Sequence, residues 1–133
     1  MSRTVRGILY GAAVVLAVSL VGSAASQTLG FDYSVLAPVS VVVYVAVGVY
    51  VGLRARVSEA AIAGAAVGLI DATLGWGISW LIGPGRPQAG EAITLLGWFN
   101  TTFFVALLSA AGAALGAWLV HRRRRRRASA QVR

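Results

Sequence analysis

The chain has 133 residues, enough for one modest domain, but 58% of them are hydrophobic and only 12% charged, against roughly a quarter charged in typical globular chains. The charges are also segregated: between Arg6 and Arg54 the sole acid or base is Asp32, and between Glu59 and His121 there are only Asp71, Arg86 and Glu91. An ordinary soluble domain is excluded, and an integral membrane protein is predicted.

The net charge of +8 belongs to a tail, since residues 121–133 hold seven of the 12 arginines and the remainder is close to neutral. Lysine is absent, which with the heavy Ala, Val and Gly usage points to a GC-rich bacterial genome. With no cysteine there is no disulfide, thiolate nucleophile or Cys-based metal site.

A helix needs about 20 mostly apolar residues to cross the hydrocarbon, where an unpaired backbone group costs several kcal/mol. Four segments supply them: 7–25, 35–53, 60–82 and one within 92–120. The last would be about 43 Å long at ~1.5 Å per residue, too long for an upright span. Its start, up to about Gly97, is therefore expected at the interface or in a kink, with the span near 98–120. The predicted fold is all-α, an integral membrane four-helix bundle over residues 1–120, with two tandem helical hairpins as one option. The basic tail, 121–133, is expected to be disordered beyond a frayed helical extension.

The first span has a second reading. Arg3, Arg6, an apolar run and then Gly22-Ser-Ala-Ala-Ser26 resemble a secretory leader with a small-residue cleavage site, though the apolar length favours a retained helix. In the four-span arrangement eleven arginines fall on one side and only Arg86 on the other. Short basic segments resist translocation, so both termini and the 54–59 loop are expected in the cytoplasm of a bacterial inner membrane. Trp76, Trp80 and Trp98 would mark the outer boundary, and Tyr10, Tyr50 and Trp118 the inner one. Between spans, Gly83-Pro84-Gly85-Arg86-Pro87 predicts a tight outer turn, and Ser58 a cap on the third helix with Glu59 at its positive end. The Asn100-Thr101-Thr102 sequon is taken as chance.

Residues 11–26 and 64–79 share seven identities in sixteen positions, and both would run from inside to outside. A parallel duplication of two hairpins, as in some transporter folds, is one reading. Each span also carries a pair of glycines four apart: Gly7/Gly11, Gly48/Gly52, Gly64/Gly68 and Gly112/Gly116. In lipid, helices associate through close packing rather than water exclusion, and such pairs form flat seams for it. Two outcomes stay open: packing within the bundle alone, or additional contacts to a second copy or a larger membrane partner.

Asp71 lies at the centre of the third span. Its ionised form costs at least ~2.5 kcal/mol at that depth, and such residues usually face the protein interior, often on ion or proton routes. Helical spacing places Gly64, Gly68, Gly75 and Ser79 on its face. Tyr44, Ser109 and, less centrally, Ser19 are hydroxyls at similar depth, and no Arg, Lys or His lies within a span to pair with it. The neutral acid is therefore favoured. It would either fix the bundle's register through Tyr44 or Ser109, or bind and release a proton or cation.

Enzyme chemistry lacks parts: one His at the membrane exit, no Cys, no second intramembrane acid and no Lys for a Walker motif. No catalytic residue, metal site or cofactor is expected. Arg122, Arg123, Arg124, Arg125, Arg126 and Arg127 are read as an orientation anchor contacting anionic lipid headgroups. Nucleic acid is not an expected partner, because the tail has no aromatic residue for stacking.

Three features, a Gly-ending second helix before Arg54 and Arg56, the run Gly64-Ala65-Ala66-Val67-Gly68-Leu69, and a Gly/Ala-rich last helix ending in basic residues, resemble small four-span bacterial membrane proteins of unassigned function. Size and span count are also similar to small multidrug-resistance exporters. Those carry an essential acid in the first span, where this chain has none. The resemblance implies a fold and no activity. The leading expectation is a non-enzymatic structural or accessory protein acting through helix contacts. The alternatives are a small oligomeric proton- or cation-coupled transporter or channel using Asp71, and a holin-like permeabilising protein.

Overall fold

The computed structural model describes residues 2–86 and 94–131, so Pro87 and Glu91 lie outside the described residues. The chain is all-helical and forms a four-helix bundle. Four stretches, Arg3–Leu29, Tyr33–Gly52, Val57–Ile82 and Leu95–Arg127, are long and apolar enough to cross a membrane, as a multi-pass membrane protein requires.

Helix α1 (Arg3–Leu29) starts on the Ser2 hydroxyl, which accepts from the Val5 amide at 3.3 Å, and stops at Gly30, whose φ of +70° directs its N–H back to the Ser26 carbonyl. Asp32 then accepts from the Ser34 amide at 2.8 Å and nucleates a 3₁₀ turn, Tyr33–Leu36. The turn leads into α2 (Ala37–Gly52), where Pro38 falls in the first helical turn and forfeits no hydrogen bond.

The third span is interrupted. Helix α3 (Val57–Ile70) gives way to a π-helical turn at Asp71–Gly75 and resumes as α4 (Trp76–Ile82). Ser58 does not cap it: the helix begins at Val57, Arg56 takes the cap position without a side-chain bond, and Ser58 falls inside the first turn. Glu59 does occupy that turn and accepts from the Thr4 hydroxyl of α1 at 3.3 Å. At the other end Gly83, with φ +129°, breaks the helix, and Arg86 folds back so that Nε donates to the Trp80 carbonyl at 2.9 Å.

Helix α5 (Leu95–Gln131) is a single rod of about 55 Å. Thr94 accepts from the Gly97 amide at 3.0 Å, so Gly97 belongs to the first turn of the helix rather than to a kink. The rod also continues through the arginine run, where a frayed helical extension with disorder beyond it was expected. Arginine is a good helix former, and two side chains fasten the extension to the end of α2. His121 Nε2 lies 3.0 Å from the Gly52 carbonyl, and Arg124 donates to the Leu53 carbonyl at 2.6 Å.

Both α1 and α5 pack on α2 and on the third span, but they do not closely approach each other. A two-fold axis relating the α1/α2 pair to the α3/α5 pair would make α1 meet α5 as α2 meets α3. The helix arrangement therefore lacks the symmetry that a duplicated hairpin implies.

The tightest packing is at the end where α1 begins and where all the described arginines but Arg86 lie. Gly48 and Gly116 let α2 and α5 meet backbone to backbone: a side-chain carbon on Gly48 would overlap Ala113, and one on Gly116 would overlap Val45 and Val49. Gly64 and Gly68 receive Ser109, Gly52 receives Ala117, and Gly112 lies more loosely on Tyr44. Gly7 receives Val51, and Gly11 receives Val47 and Val67. Each of the four glycine pairs thus faces a neighbour within the same chain. At the far end, among the described residues, α4 packs on α1 but not on α5, and Leu95, Leu96, Phe99 and Phe103 of α5 are exposed. The bundle is closed at one end and splayed at the other.

Candidate functional site

A cavity of about 610 Å³ occupies the splayed half, with Asp71 at its base. It is bounded by α1 (Val18, Ser19), by the 3₁₀ turn and α2 (Tyr33 to Tyr44), by the π turn and α4 (Asp71, Ala72, Gly75, Trp76) and by α5 (Thr101, Val105, Leu108). Its walls are mainly apolar; Ser19, Ser40, Tyr44 and Asp71 lie toward the base, and Tyr33, Ser34 and Thr101 nearer the splayed end.

The π turn sets the position of Asp71. Thr73 donates its hydroxyl to the Leu69 carbonyl at 2.6 Å, a carbonyl that in an uninterrupted α-helix would take the Thr73 amide. Such back-bonding by Thr bends helices and keeps a freed backbone group satisfied where no water reaches. Single π turns are rare and frequent at functional sites. Asp71 lies one turn beyond Val67, which fits against Gly11, so the carboxyl points toward α1 and α2.

There the Tyr44 hydroxyl donates to Asp71 Oδ2 at 2.5 Å, and the Ser19 hydroxyl reaches Oδ1 at 3.5 Å, the outer limit of a hydrogen bond. Tyr44 is 2% exposed and Ser19 3%, while Asp71 is only part-buried and opens into the cavity. Gly75 makes this possible, because a side-chain carbon there would stand 2.7 Å from Oδ1 and 2.8 Å from Ser19 Oγ. Ser40, one turn before Tyr44, also lines the cavity.

Of the three residues predicted to form a polar site, Asp71 and Tyr44 are brought together and Ser109 is not. Ser109 is fully buried against Gly68 and donates to the Ala106 carbonyl of its own helix at 2.9 Å. Depth alone did not distinguish it from Ser19, whose helix faces the carboxyl. The glycine stripe also divides: Gly64 and Gly68 face α5, Asp71 and Gly75 face α1 and α2, and Ser79 is buried with its hydroxyl unpaired. Trp76, expected at the outer boundary, lines the cavity beside the π turn. The part played by Ser19 was readable in principle. Gly11, Val15, Ser19, Gly22 and Ser26 make one buried stripe at helical spacing on α1, and Ser19 is the polar residue of that stripe nearest mid-helix.

Among the described residues no three His, Asp or Glu side chains cluster as metal ligands would. Compared with protein-family models, curated proteins and solved structures, the chain matches none of them.

Proposed function

We propose that the protein is a small transporter of a bacterial inner membrane, loaded from outside, in which Asp71 exchanges a proton for its ligand. The observation that carries this reading is the cavity: it reaches an intramembrane carboxyl from the splayed end, and glycine packing closes the bundle beneath it. A carboxyl kept only for bundle register would need its hydroxyl partner but no opening of about 610 Å³.

Orientation follows from the arginines. Of the arginines among the described residues, all but Arg86 lie at the closed end, which the bias of basic residues toward the cytoplasm makes the inner side. The cavity then opens to the outside. Arg122 to Arg127 girdle the protruding α5 rod, because successive helical residues point in all directions. They serve as an anchor for anionic headgroups, worth about 1 kcal/mol each near the surface. The retained first helix fits this role, since α1 supplies Ser19 to the site. A structural or accessory role through exposed glycine seams is less well supported, because all four pairs are occupied within the chain.

The test uses proteoliposomes with a pH-sensitive dye inside, challenged from outside with sodium, potassium and a panel of organic amines. At least one challenge should move protons in wild type, fail to do so in Asp71→Asn, and succeed in Ser109→Ala. The reading is overturned if no challenge moves protons, or if Asp71→Asn moves as many as wild type.

A further inference from the structure

The seam between α1 and α4 holds two hydroxyls that the site above does not use. Ser23 and Ser79 are wholly buried, and among the described residues neither Oγ has a hydrogen-bond partner. Buried polar groups are nearly always paired, with protein or with water. The register of the seam shows where these two point. Below them Gly75 sits against Ser19, where an added carbon would stand 2.8 Å from Oγ; above them Gly83 sits against Gln27, where it would stand 3.2 Å from Nε2. From the lower contact to the upper one both segments advance eight residues, and Ser23 and Ser79 are each halfway along, so they are set against each other.

Both ends of the seam meet polar groups. At the lower end Ser19 reaches Asp71 Oδ1, while Tyr44 holds Oδ2, so Oδ1 is the oxygen left to carry an exchangeable proton. At the upper end Gln27 and Gly83 line a polar basin together with Asp32 and Arg86, and Gly85 folds onto Ser79, where any side chain would overlap the hydroxyl. Polar side chains thus recur once per helical turn, at Ser19, at the Ser23/Ser79 pair and at Gln27, and no acid or base interrupts them on either helix. Four residues rise about 6 Å, twice the ~2.8 Å of a bond between hydroxyls, which is the span of one bridging water. Such a water finds in the seam the two or more polar partners it needs. The cavity offers no such ladder: Leu36 and Ala37 on the α2 side and Val105 on α5 separate the polar groups of its base from those of its mouth.

We infer that the α1/α4 seam is a proton path, separate from the apolar cavity, that joins Asp71 to the outer basin through Ser19, Ser23, Ser79 and bridging water. This rests on the exchange proposed above, in which a proton must leave as the ligand arrives and fills the cavity. In each passage Asp71 Oδ1 gives its proton to Ser19 Oγ, each hydroxyl or water that receives one proton releases another on its far side, and water in the basin takes the last. The carboxyl ends as the carboxylate, and every group of the relay ends neutral.

Time-resolved infrared spectroscopy of the full chain in lipid nanodiscs, after a pH jump, follows the carboxyl band that Asp71→Asn abolishes. Wild type should lose that band about tenfold faster than Ser23→Ala or Ser79→Ala, since a link missing from a hydrogen-bonded relay raises its barrier, and all should reach the same end point at each pH. Thr102→Ala removes another buried, unpaired hydroxyl from α5, which among the described residues packs on neither α1 nor α4, and should run at the wild-type rate. Serine variants as fast as wild type, or Thr102→Ala as slow as they are, overturn the inference. A second readout uses wild type alone and does not depend on the variants' folding: magnetisation transfer from water should reach the β protons of Ser23 and Ser79, and a seam that receives none is dry and carries no proton. An Asp71 band unresponsive from about pH 4 to about pH 10 removes both the path and the exchange. Fast, serine-dependent titration in a chain that moves no protons across a bilayer would keep the path and remove the transport. Proton movement in proteoliposomes, with titration indifferent to both serines, would remove the path and leave the exchange.

Discussion

Replacing Gly48 by alanine tests whether the closed end is held by backbone contact between α2 and α5. The added carbon would overlap the Ala113 carbonyl oxygen and stand 2.5 Å from its Cα and carbonyl carbon, against a carbon–carbon optimum near 3.5–4.0 Å, so the helices must part by at least about 1 Å. Backbone atoms cannot rotate away as a side chain can. Overpacking of this kind costs about 1–3 kcal/mol, and parting the helices also loosens the neighbouring Gly52–Ala117 contact. Against this, alanine gains about 1 kcal/mol over glycine in helix propensity. The net expectation is a loss of about 1–2 kcal/mol. Gly77→Ala is the matched control: nothing lies within 4 Å of its added carbon, so only the gain of up to about 1 kcal/mol remains. Reversible unfolding in mixed detergent micelles, followed by fluorescence of the four tryptophans, measures both. The reasoning is refuted if Gly48→Ala proves as stable as Gly77→Ala.

Tyr44→Phe keeps the buried ring and removes the donor to Asp71 Oδ2, and should cost about 1–3 kcal/mol in the same unfolding assay; a change within error would mean that the bond contributes nothing. Donation from the Ser34 amide holds the exposed Asp32 carboxyl below its ordinary value, so its support of the 3₁₀ turn is full above about pH 4 and fades as acid protonates the group. Hydrogen exchange at Ser34, corrected for the intrinsic rate, should lose protection in that acid range and be flat at neutral pH. Arg124→Ala removes the donor to the Leu53 carbonyl and should fray the last turn of α2, seen as faster exchange at Leu53 and Ala55, with at most about 1 kcal/mol lost globally. Reporter fusions after residue 131 should show cytoplasmic activity, and periplasmic activity would reverse the proposed loading side.

The spans were legible because length and apolarity are imposed by the bilayer itself. Helix ends were not, since an apolar window marks where lipid begins and a helix can run on into water. Thus α1 starts at Arg3 and α5 reaches Gln131. Long arginine side chains suit such an extension: Arg3 lies over the Tyr50 ring at 4.8 Å and Arg122 over Trp118 at 5.1 Å. At the site, matching residues by depth found Tyr44, but depth is one coordinate of two. Azimuth separates Ser19, which faces the carboxyl, from Ser109, which packs on Gly68. The π turn left no mark on the hydropathy pattern, because the Thr73 hydroxyl that accompanies it is one more small polar group in a tolerant helix.

The shape of the molecule follows from where its glycines are paired. At the arginine end a neighbouring backbone or side chain fits in wherever glycine omits a side chain, and in lipid such close packing is the main source of helix association. Beyond mid-helix α1 places Ser19 and Gly22 on its buried stripe, α2 has no glycine before Gly48, and α5 presents exposed Phe99 and Phe103. The same seams therefore close one end and leave the other ajar. Asp71 stands at the change-over, with Val67 below it fitted into Gly11 and Gly75 above it leaving room for Ser19. A side chain at Gly75 would drive into both the carboxyl and its serine partner. The carboxyl owes its place facing the cavity to a glycine set against the serine of α1.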